Sequence, residues 1–322
     1  MRTLSFLPTK ILIEITNVCN FDCTFCPLGT IERKKKFMEL EVVQRLIDEI
    51  ASSGLGAAMI GGLRLHQLGE PLMHPKVFDI INHANARGIP IGLVTNGSRL
   101  TEENLERLSG TMTGLAISYQ TPSEESFKSR RARNMSFESY RSIVFNAIDF
   151  KFKTKMPNHI HWSILYTDVF DWYKIKALNS GSEVALLKAE LDQLGISLGD
   201  KYGVPYTVMS DEEFGDRVAK GNPIQFAPGV EVQFKSPYVW PTHKNKRTTE
   251  GHCAKPMNEL AVFCDGGCSL CCIDDDNAMN IGNIHESSLV DIWYSPKATE
   301  IREAFARRQV VHPLCQQCLS PA

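Results

Sequence analysis

The sequence predicts an α/β fold: an open or partial barrel of parallel strands over about residues 1–225, then a small cysteine-rich domain over about residues 226–322. Three observations predict it. Short apolar runs alternate with amphipathic runs through the first two thirds of the chain, the pattern of βα units whose parallel strands need crossovers. The alternation breaks near residue 210, where Pro, Gly and polar residues gather in "GNPIQFAPG" and "SPYVWPTHKNKRTTEGH". The ten cysteines are divided between the two ends: Cys19, Cys23 and Cys26 first, seven more between Cys253 and Cys318, and none in residues 27–252.

The elements follow in order. Ile11–Ile15 reads as a strand, and "MELEVVQRLIDEI" as a helix, with apolar residues at helical spacing and acids in its first turn. "AAMIGGLRLHQL" reads as a second strand ending at Gly69-Glu70-Pro71, and "PKVFDIINHANARG" as a helix begun by Pro75 and stopped by Gly88. "IPIGLVT" is a strand ending at Asn96-Gly97, and "TEENLERL" a short Thr-capped helix. "GLAISYQ" is a fourth strand and "SFESYRSIVFNAIDF" a helix capped by Ser136. "HIHWSILY" is a fifth strand, "SEVALLKAELDQLG" a helix ending at Gly195, and "VPYTVM" (204–209) the candidate sixth strand. Six units are too few for a closed eightfold barrel, so an open or partial one is expected, with ligands at the carboxyl ends of the strands.

The 322 residues carry a net charge of −2. No basic stripe points to nucleic acid, no apolar run is long enough to span a bilayer, and the N-terminus lacks a secretory signal, so the expected location is the cytoplasm. "HKNKR" reads as solvated loop, and the Asp-rich "CIDDDN" as a solvated turn. In a reducing compartment, clustered thiols point to metal binding or catalysis.

"CNFDCTFC" places Cys19, Cys23 and Cys26 directly after the first strand. Three thiolates are one short of a closed tetrahedral zinc site. A 4Fe–4S cube held by three thiolates keeps one iron open for a ligand. This C-x-x-x-C-x-aromatic-C pattern resembles the radical S-adenosylmethionine (SAM) enzymes, over about residues 8–210. The resemblance implies a partial (β/α)6 barrel and an open iron that chelates the amino and carboxylate groups of SAM. It also implies reductive cleavage to a 5′-deoxyadenosyl radical, which takes a hydrogen atom from substrate. An external one-electron reductant such as flavodoxin or ferredoxin is implied as well.

By the same match, Phe25 packs near the adenine. Gly69 and Glu70 belong to the segment that holds the SAM ammonium, although Leu68 stands where the family has Gly. Asn96 lies near SAM by position, and Ser118 matches a polar position at the carboxylate or ribose. Arg131, preferred over Arg133, is the expected partner of the SAM carboxylate.

In the C-terminal part, "IGNIHESSLVDIW" resembles the Gly-Asn-Ile segment of the SPASM and Twitch extensions of these enzymes, which carry auxiliary iron–sulfur clusters. Because the chain stops soon after Cys318, the shorter Twitch form with one auxiliary cluster is expected, making two 4Fe–4S clusters in all. Its ligands by match are Cys253, Cys271, Cys315 and Cys318, with Cys271 against Cys272 left open; a four-cysteine zinc site uses the same residues. Cys264, Cys268 and Cys272 exceed the ligand count and are candidate hydrogen-atom donors, or else small buried residues. His66, on the second strand, reads as a core histidine or as a substrate contact.

The expected function is oxidation or epimerisation of a small polyol, aminocyclitol or sugar. The tilt rests on a chain that begins almost at its first strand, without a leader-recognition domain. A peptide-modifying enzyme is the alternative, and a non-catalytic Fe–S or zinc sensor or scaffold is the alternative of another class.

Overall fold

The structure is a computed structural model that describes residues 7–112, 114–156, 158–167, 177–178 and 180–321. From the N-terminus the elements run β1 (Lys10–Ile13), α1 (Leu40–Ser52), β2 (Leu63–Arg64), α2 (Val77–Ala86), β3 (Ile91–Thr95), α3 (Glu102–Leu108), β4 (Gly114–Gln120), α4 (Glu124–Phe127), α5 (Phe137–Lys153), β5 (His159–Leu165), α6 (Gly181–Tyr202) and α7 (Asp211–Lys220). They continue with β6 (Ile224–Ala227), β7 (Val230–Lys235), α8 (Lys255–Asn258), β8 (Glu259–Val262), β9 (Gly267–Ser269), β10 (Gly282–Asn283), α9 (Leu289–Trp293), α10 (Pro296–Ala306) and α11 (Pro313–Leu319). Side-chain caps start the helices where the sequence places them: the hydroxyls of Thr101, Ser136, Ser180 and Ser210 accept from the amides of Asn104, Ser139, Glu183 and Glu213. No helix among the described residues is long and apolar enough to cross a membrane.

The chain forms two compact units, one of residues 1–19, 27–92 and 239–322, the other of residues 20–26 and 93–238. In the first, β1 pairs in parallel with β2 on one side and with β8 on the other, while β8–β9 and β9–β10 are antiparallel. Ile11, Ile13, Leu63 and Leu65 are buried on one face of this sheet. The register sets Leu12 beside Arg64 and Lys10 beside Glu259, so the opposite face carries charged residues alongside apolar Leu12. In the second unit β4, β5 and β7 are parallel neighbours, and β6 closes an antiparallel hairpin on β7. Leu115, Ile117, Tyr119, Ile160, Trp162, Ile164, Val230, Val232 and Phe234 bury one face. By register the other carries Ser118, His161, Ser163, Glu231, Gln233 and Lys235.

Four expectations are corrected. The second strand is only two residues long, because Gly61 and Gly62 take left-handed φ values of 72° and 81° just before it. The helix expected to stop at Gly195 runs on to Tyr202 and is ended by left-handed Gly203, while Gly195 lies inside it, close against the Tyr206 ring. Residues 204–209 form no strand; the parallel neighbour of β5 is β7, which lies between the two stretches read as loop. The "DDD" turn is not simply solvated, since Asp274 and Asp275 are buried.

Candidate active site

The thiol loop leaves β1 and carries Cys19 in the first unit, Cys23 and Cys26 in the second. Backbone bonds hold its second half: Asp22 N–H donates to Arg130 O (3.1 Å), Thr24 N–H to Ser129 O (2.9 Å) and Cys26 N–H to Cys23 O (3.1 Å). Phe21 is buried edge-on to Phe127 and Tyr140. Asn96 Nδ2 donates to Asn20 Oδ1 (3.0 Å) and Tyr140 OH to Asn96 O (2.6 Å), so the Thr-Asn-Gly turn is tied to the cysteine loop. Phe25 packs on Leu165 and Ala177.

Two adjacent arginines in this region are placed differently. Arg131 adopts φ 44°, its side chain is 62% exposed, and it meets Asp22 at 3.7 Å. Its neighbour Arg130 is 1% exposed. Arg130 Nη1 donates to Ser118 O (3.0 Å) and Gln120 Oε1 (2.6 Å), and the guanidinium lies 4.9 Å from the Phe21 ring and 5.9 Å from that of Phe25. Burial raises the pKa of the Cys23 thiol, and Arg130 pulls it partly back. The sequence does not single out Arg130; in "SRRAR" only the backbone turn distinguishes it from the next residue.

In the first unit, Gly69 has φ 75°, and a Cβ there would strike Thr16 O and the Asn17 backbone, so only glycine lets this turn approach the strand-end loop. Glu70 is 1% exposed, its amide donates to Val18 O (2.9 Å), and its carboxylate accepts from Leu72 N–H (3.0 Å). Behind it sits Glu14, fully buried. Glu14 accepts from Arg33 Nη1 (2.6 Å) and Nη2 (3.1 Å), from Leu68 N–H (3.2 Å) and from Cys264 N–H (3.2 Å). The Asp turn closes over the same loops: the amides of Glu32 and Arg33 donate to Asp276, Arg33 Nη2 to Asp275 O, and Gln67 Nε2 to Asp274 O.

The C-terminal thiols fall into groups. Burial pushes Cys315 up to about 12, with Cys253 and Cys318 adding to it, which places these three as electrostatic neighbours. Cys272 Sγ accepts from Lys255 Nζ (2.9 Å), and its amide donates to Glu259 (3.2 Å). Cys271 Sγ accepts from Ile273 N–H at 3.5 Å. Cys264 and Cys268 are buried; burial, then Glu14, pushes Cys264 up to about 12, and burial raises Cys268 strongly. Both therefore stay as S–H groups at neutral pH.

The donor chemistry fits iron–sulfur groups. No disulfide joins any of the ten cysteines, and the thiols come in one loop of three and a further set near the C-terminal end. Among the described residues no three His, Cys, Asp or Glu side chains close around a single ion; a cube takes one thiolate per iron, so its ligands need not converge on one point.

His66 follows β2 as a half-buried residue whose Nδ1 is shut off from water and has no hydrogen-bond partner among the described residues. Burial, then Arg64 and Lys10, lowers its pKa from 6.5 to about 3. A base whose folded pKa lies below its unfolded value stabilises the native state above pH 6.5, and that contribution is lost as pH falls toward 3. Acidification from pH 7 to pH 5 is therefore expected to cost the wild type about 1–2 kcal/mol more than His66→Asn, read from urea midpoints. Equal losses would show that the imidazole titrates normally.

Comparison with known proteins adds two domain matches: residues 13–161 match the radical SAM superfamily, and residues 253–319 an iron–sulfur cluster-binding domain of the SPASM type. A Pyrococcus furiosus tungsten-containing aldehyde ferredoxin oxidoreductase cofactor-modifying protein is 24% identical, over 95% of this chain and 86% of that one. A Methanosarcina barkeri AdoMet-dependent heme synthase is 29% identical over 43% of this chain and 38% of that one. Among solved structures, BtrN in complex with AdoMet and 2-DOIA aligns with a TM-score of 0.53 at 16% identity, over 95% of this chain and 89% of that one. Streptococcus suis SuiB bound to its precursor peptide SuiA aligns with a TM-score of 0.53 at 15% identity, over 96% and 71%. At such identities the likeness is one of fold.

Proposed function

Because this chain belongs to the radical SAM superfamily and carries a SPASM-type iron–sulfur domain, we propose that it abstracts a hydrogen atom from a small polyol, aminocyclitol or sugar, with net oxidation or epimerisation. Its cofactors are SAM and 4Fe–4S clusters, which together supply one-electron cleavage of SAM and a hydrogen-abstracting radical. In this reading Cys19, Cys23 and Cys26 hold the SAM-binding cluster, and Phe25 lies against the adenine. Gly69 and Glu70 receive the ammonium, and Asn96 and Ser118 line the nucleoside side. Buried Arg130, rather than Arg131, serves the carboxylate, a role supported by its place between Ser118 and the cysteine loop. Cys253, Cys315 and Cys318, with Cys271, hold one auxiliary cluster. Cys264, Cys268 and Cys272 are the thiols available to return a hydrogen atom. We place the functional division after β7, near residue 238, and the protein in the cytoplasm with a flavodoxin- or ferredoxin-like reductant.

One observation carries the substrate class. The open face of β4, β5 and β7 is lined by Ser118, His161, Ser163, Glu231 and Gln233, with His161, Glu231 and Gln233 already sharing hydrogen bonds. Hydroxyls, an imidazole, an amide and a carboxylate in one row suit a ligand dense in hydroxyl or amino groups. A peptide substrate is the second reading, favoured by the fold shared with peptide-bound SuiB.

The test is anaerobic reconstitution, addition of SAM and dithionite, and detection of 5′-deoxyadenosine, with polyols and peptides supplied in parallel. Wild type is expected to form it and Cys26→Ala to remain at background. Product from neither, together with no SAM binding, would favour a non-catalytic iron–sulfur or zinc protein.

A further inference from the structure

Lys255 stands among the C-terminal thiols. It touches two of them: its amide donates to Cys253 Sγ, and its ammonium donates to Cys272 Sγ at 2.9 Å. Cys271, next in the chain to Cys272, lies within reach of the same charge. Burial raises the pKa of all three thiols, and at each the Lys255 ammonium works against it. All of these groups belong to the first unit.

The charges around Lys255 do not cancel. Glu259, a buried carboxylate, meets Lys10 at 2.8 Å, Lys255 at 3.4 Å and the Cys272 amide at 3.2 Å. Two ammonium groups share this one carboxylate, so one positive charge is left over. The Lys255 head is closer to the Cys272 sulfur than to the carboxylate, so the excess sits at the thiols. Partial withdrawal from water weakens the screening of that charge.

We infer that Lys255 raises the reduction potential of the auxiliary iron–sulfur cluster, with Glu259 acting against it. The inference rests on the reading above, in which Cys253, Cys271, Cys315 and Cys318 hold that cluster, and it deepens that reading. A 4Fe–4S cluster gains one negative charge when it takes an electron, and the charges and hydrogen bonds at its sulfur ligands set how readily it does so. A fixed ammonium beside the ligand thiolates favours the reduced form, and a carboxylate disfavours it. Cys272, outside the ligand set, fixes the position of the ammonium. A cluster so biased is a better acceptor for the electron left on a substrate radical, which net oxidation requires and epimerisation does not.

The test is a potentiometric titration of the full chain, anaerobically reconstituted and followed by electron paramagnetic resonance of the reduced cluster. Cys19→Ala, Cys23→Ala and Cys26→Ala together remove the SAM-binding cluster, so the signal comes from the auxiliary one. In that background Lys255→Met is expected to make reduction about tenfold less favourable, a fall of about 59 mV for one electron. Glu259→Gln keeps the shape and removes the opposing charge, so it is expected to shift the potential upward. Lys255→Arg keeps the charge and is expected to stay near the parent. Opposite shifts from two neighbouring residues report charge, and a merely structural role does not produce them. The inference is overturned if Lys255→Met and Glu259→Gln both keep the parent potential or move the same way. If Lys255→Met fails to hold iron and sulfide, Glu259→Gln decides alone, and no upward shift overturns the inference. A parent that binds no iron and sulfide overturns the auxiliary-cluster reading and the inference with it. A cluster whose potential ignores both substitutions overturns the inference alone.

Discussion

Glu14→Ala is expected to destabilise the protein by about 3–5 kcal/mol, the scale for removing one partner of a buried ion pair. The carboxylate is fully buried and accepts four hydrogen bonds from three separate segments: the Arg33 fork, the Leu68 amide and the Cys264 amide. Truncation leaves the Arg33 charge, whose side chain is only 6% exposed, with Asp276 at 3.9 Å as its remaining carboxylate. Glu14→Gln preserves the shape but turns an N–H toward groups that are all donors, so it is expected to recover little. Glu14→Gln combined with Arg33→Met removes the Arg33 charge and is expected to regain more than half of the loss. Thermal melts of all four proteins check this, with a fall in Tm of about 10 °C for the alanine variant. A fall of 1–2 °C would mean that water reaches the pair. The loss is also expected to resist salt, because buried charges are poorly screened.

Arg130→Ala is the second large effect. The side chain joins Ser118 O and Gln120 Oε1 to the aromatic pair Phe21 and Phe25, and its own carbonyl holds the Asp22 amide. Its removal leaves two half-buried acceptors short of a donor and a void beside Cys23. SAM affinity of the reconstituted protein, measured by equilibrium dialysis, is expected to fall about 10–100-fold, the range for one lost charge-assisted bond. Arg130→Lys retains the charge without the fork and should fall between the two. Arg131→Ala is the control: its exposed pair with Asp22 is worth well under about 1 kcal/mol, and SAM binding should not move. The opposite ranking would return the carboxylate role to Arg131.

Much of this was legible in the residues, for identifiable reasons. The strict alternation of "GLAISYQ" and "HIHWSIL" marked β4 and β5 because one face is buried and the other is not. Ser and Thr before apolar runs marked the helix starts. The matches of cysteine spacing pointed to the two domains. What was not legible depended on tertiary partners. Gly195 looks like a helix stop until the Tyr206 ring is seen against it. Arg130 and Arg131 are alike in sequence and differ only because a left-handed φ turns one outward. The Asp turn looked solvated because its donors, the Glu32 and Arg33 amides and Gln67, lie more than two hundred positions earlier. Cys271 and Cys272 are separated by Lys255, which reaches the second of them.

The pairing of β1 with β8 has a consequence for how the protein is made. Four residues near the start of the chain, Lys10 to Ile13, find their parallel partners at Glu259 to Val262, and the Glu14–Cys264 bond spans 250 positions. During synthesis one edge of the first strand therefore waits, with its amides and carbonyls uncovered, until most of the polypeptide has left the ribosome. Such long-range closure is slow, and a waiting edge invites pairing with the wrong strand. Nascent chains halted before residue 259 would thus present an adhesive N-terminal strand, and a chaperone that shields it would raise the yield of soluble full-length protein.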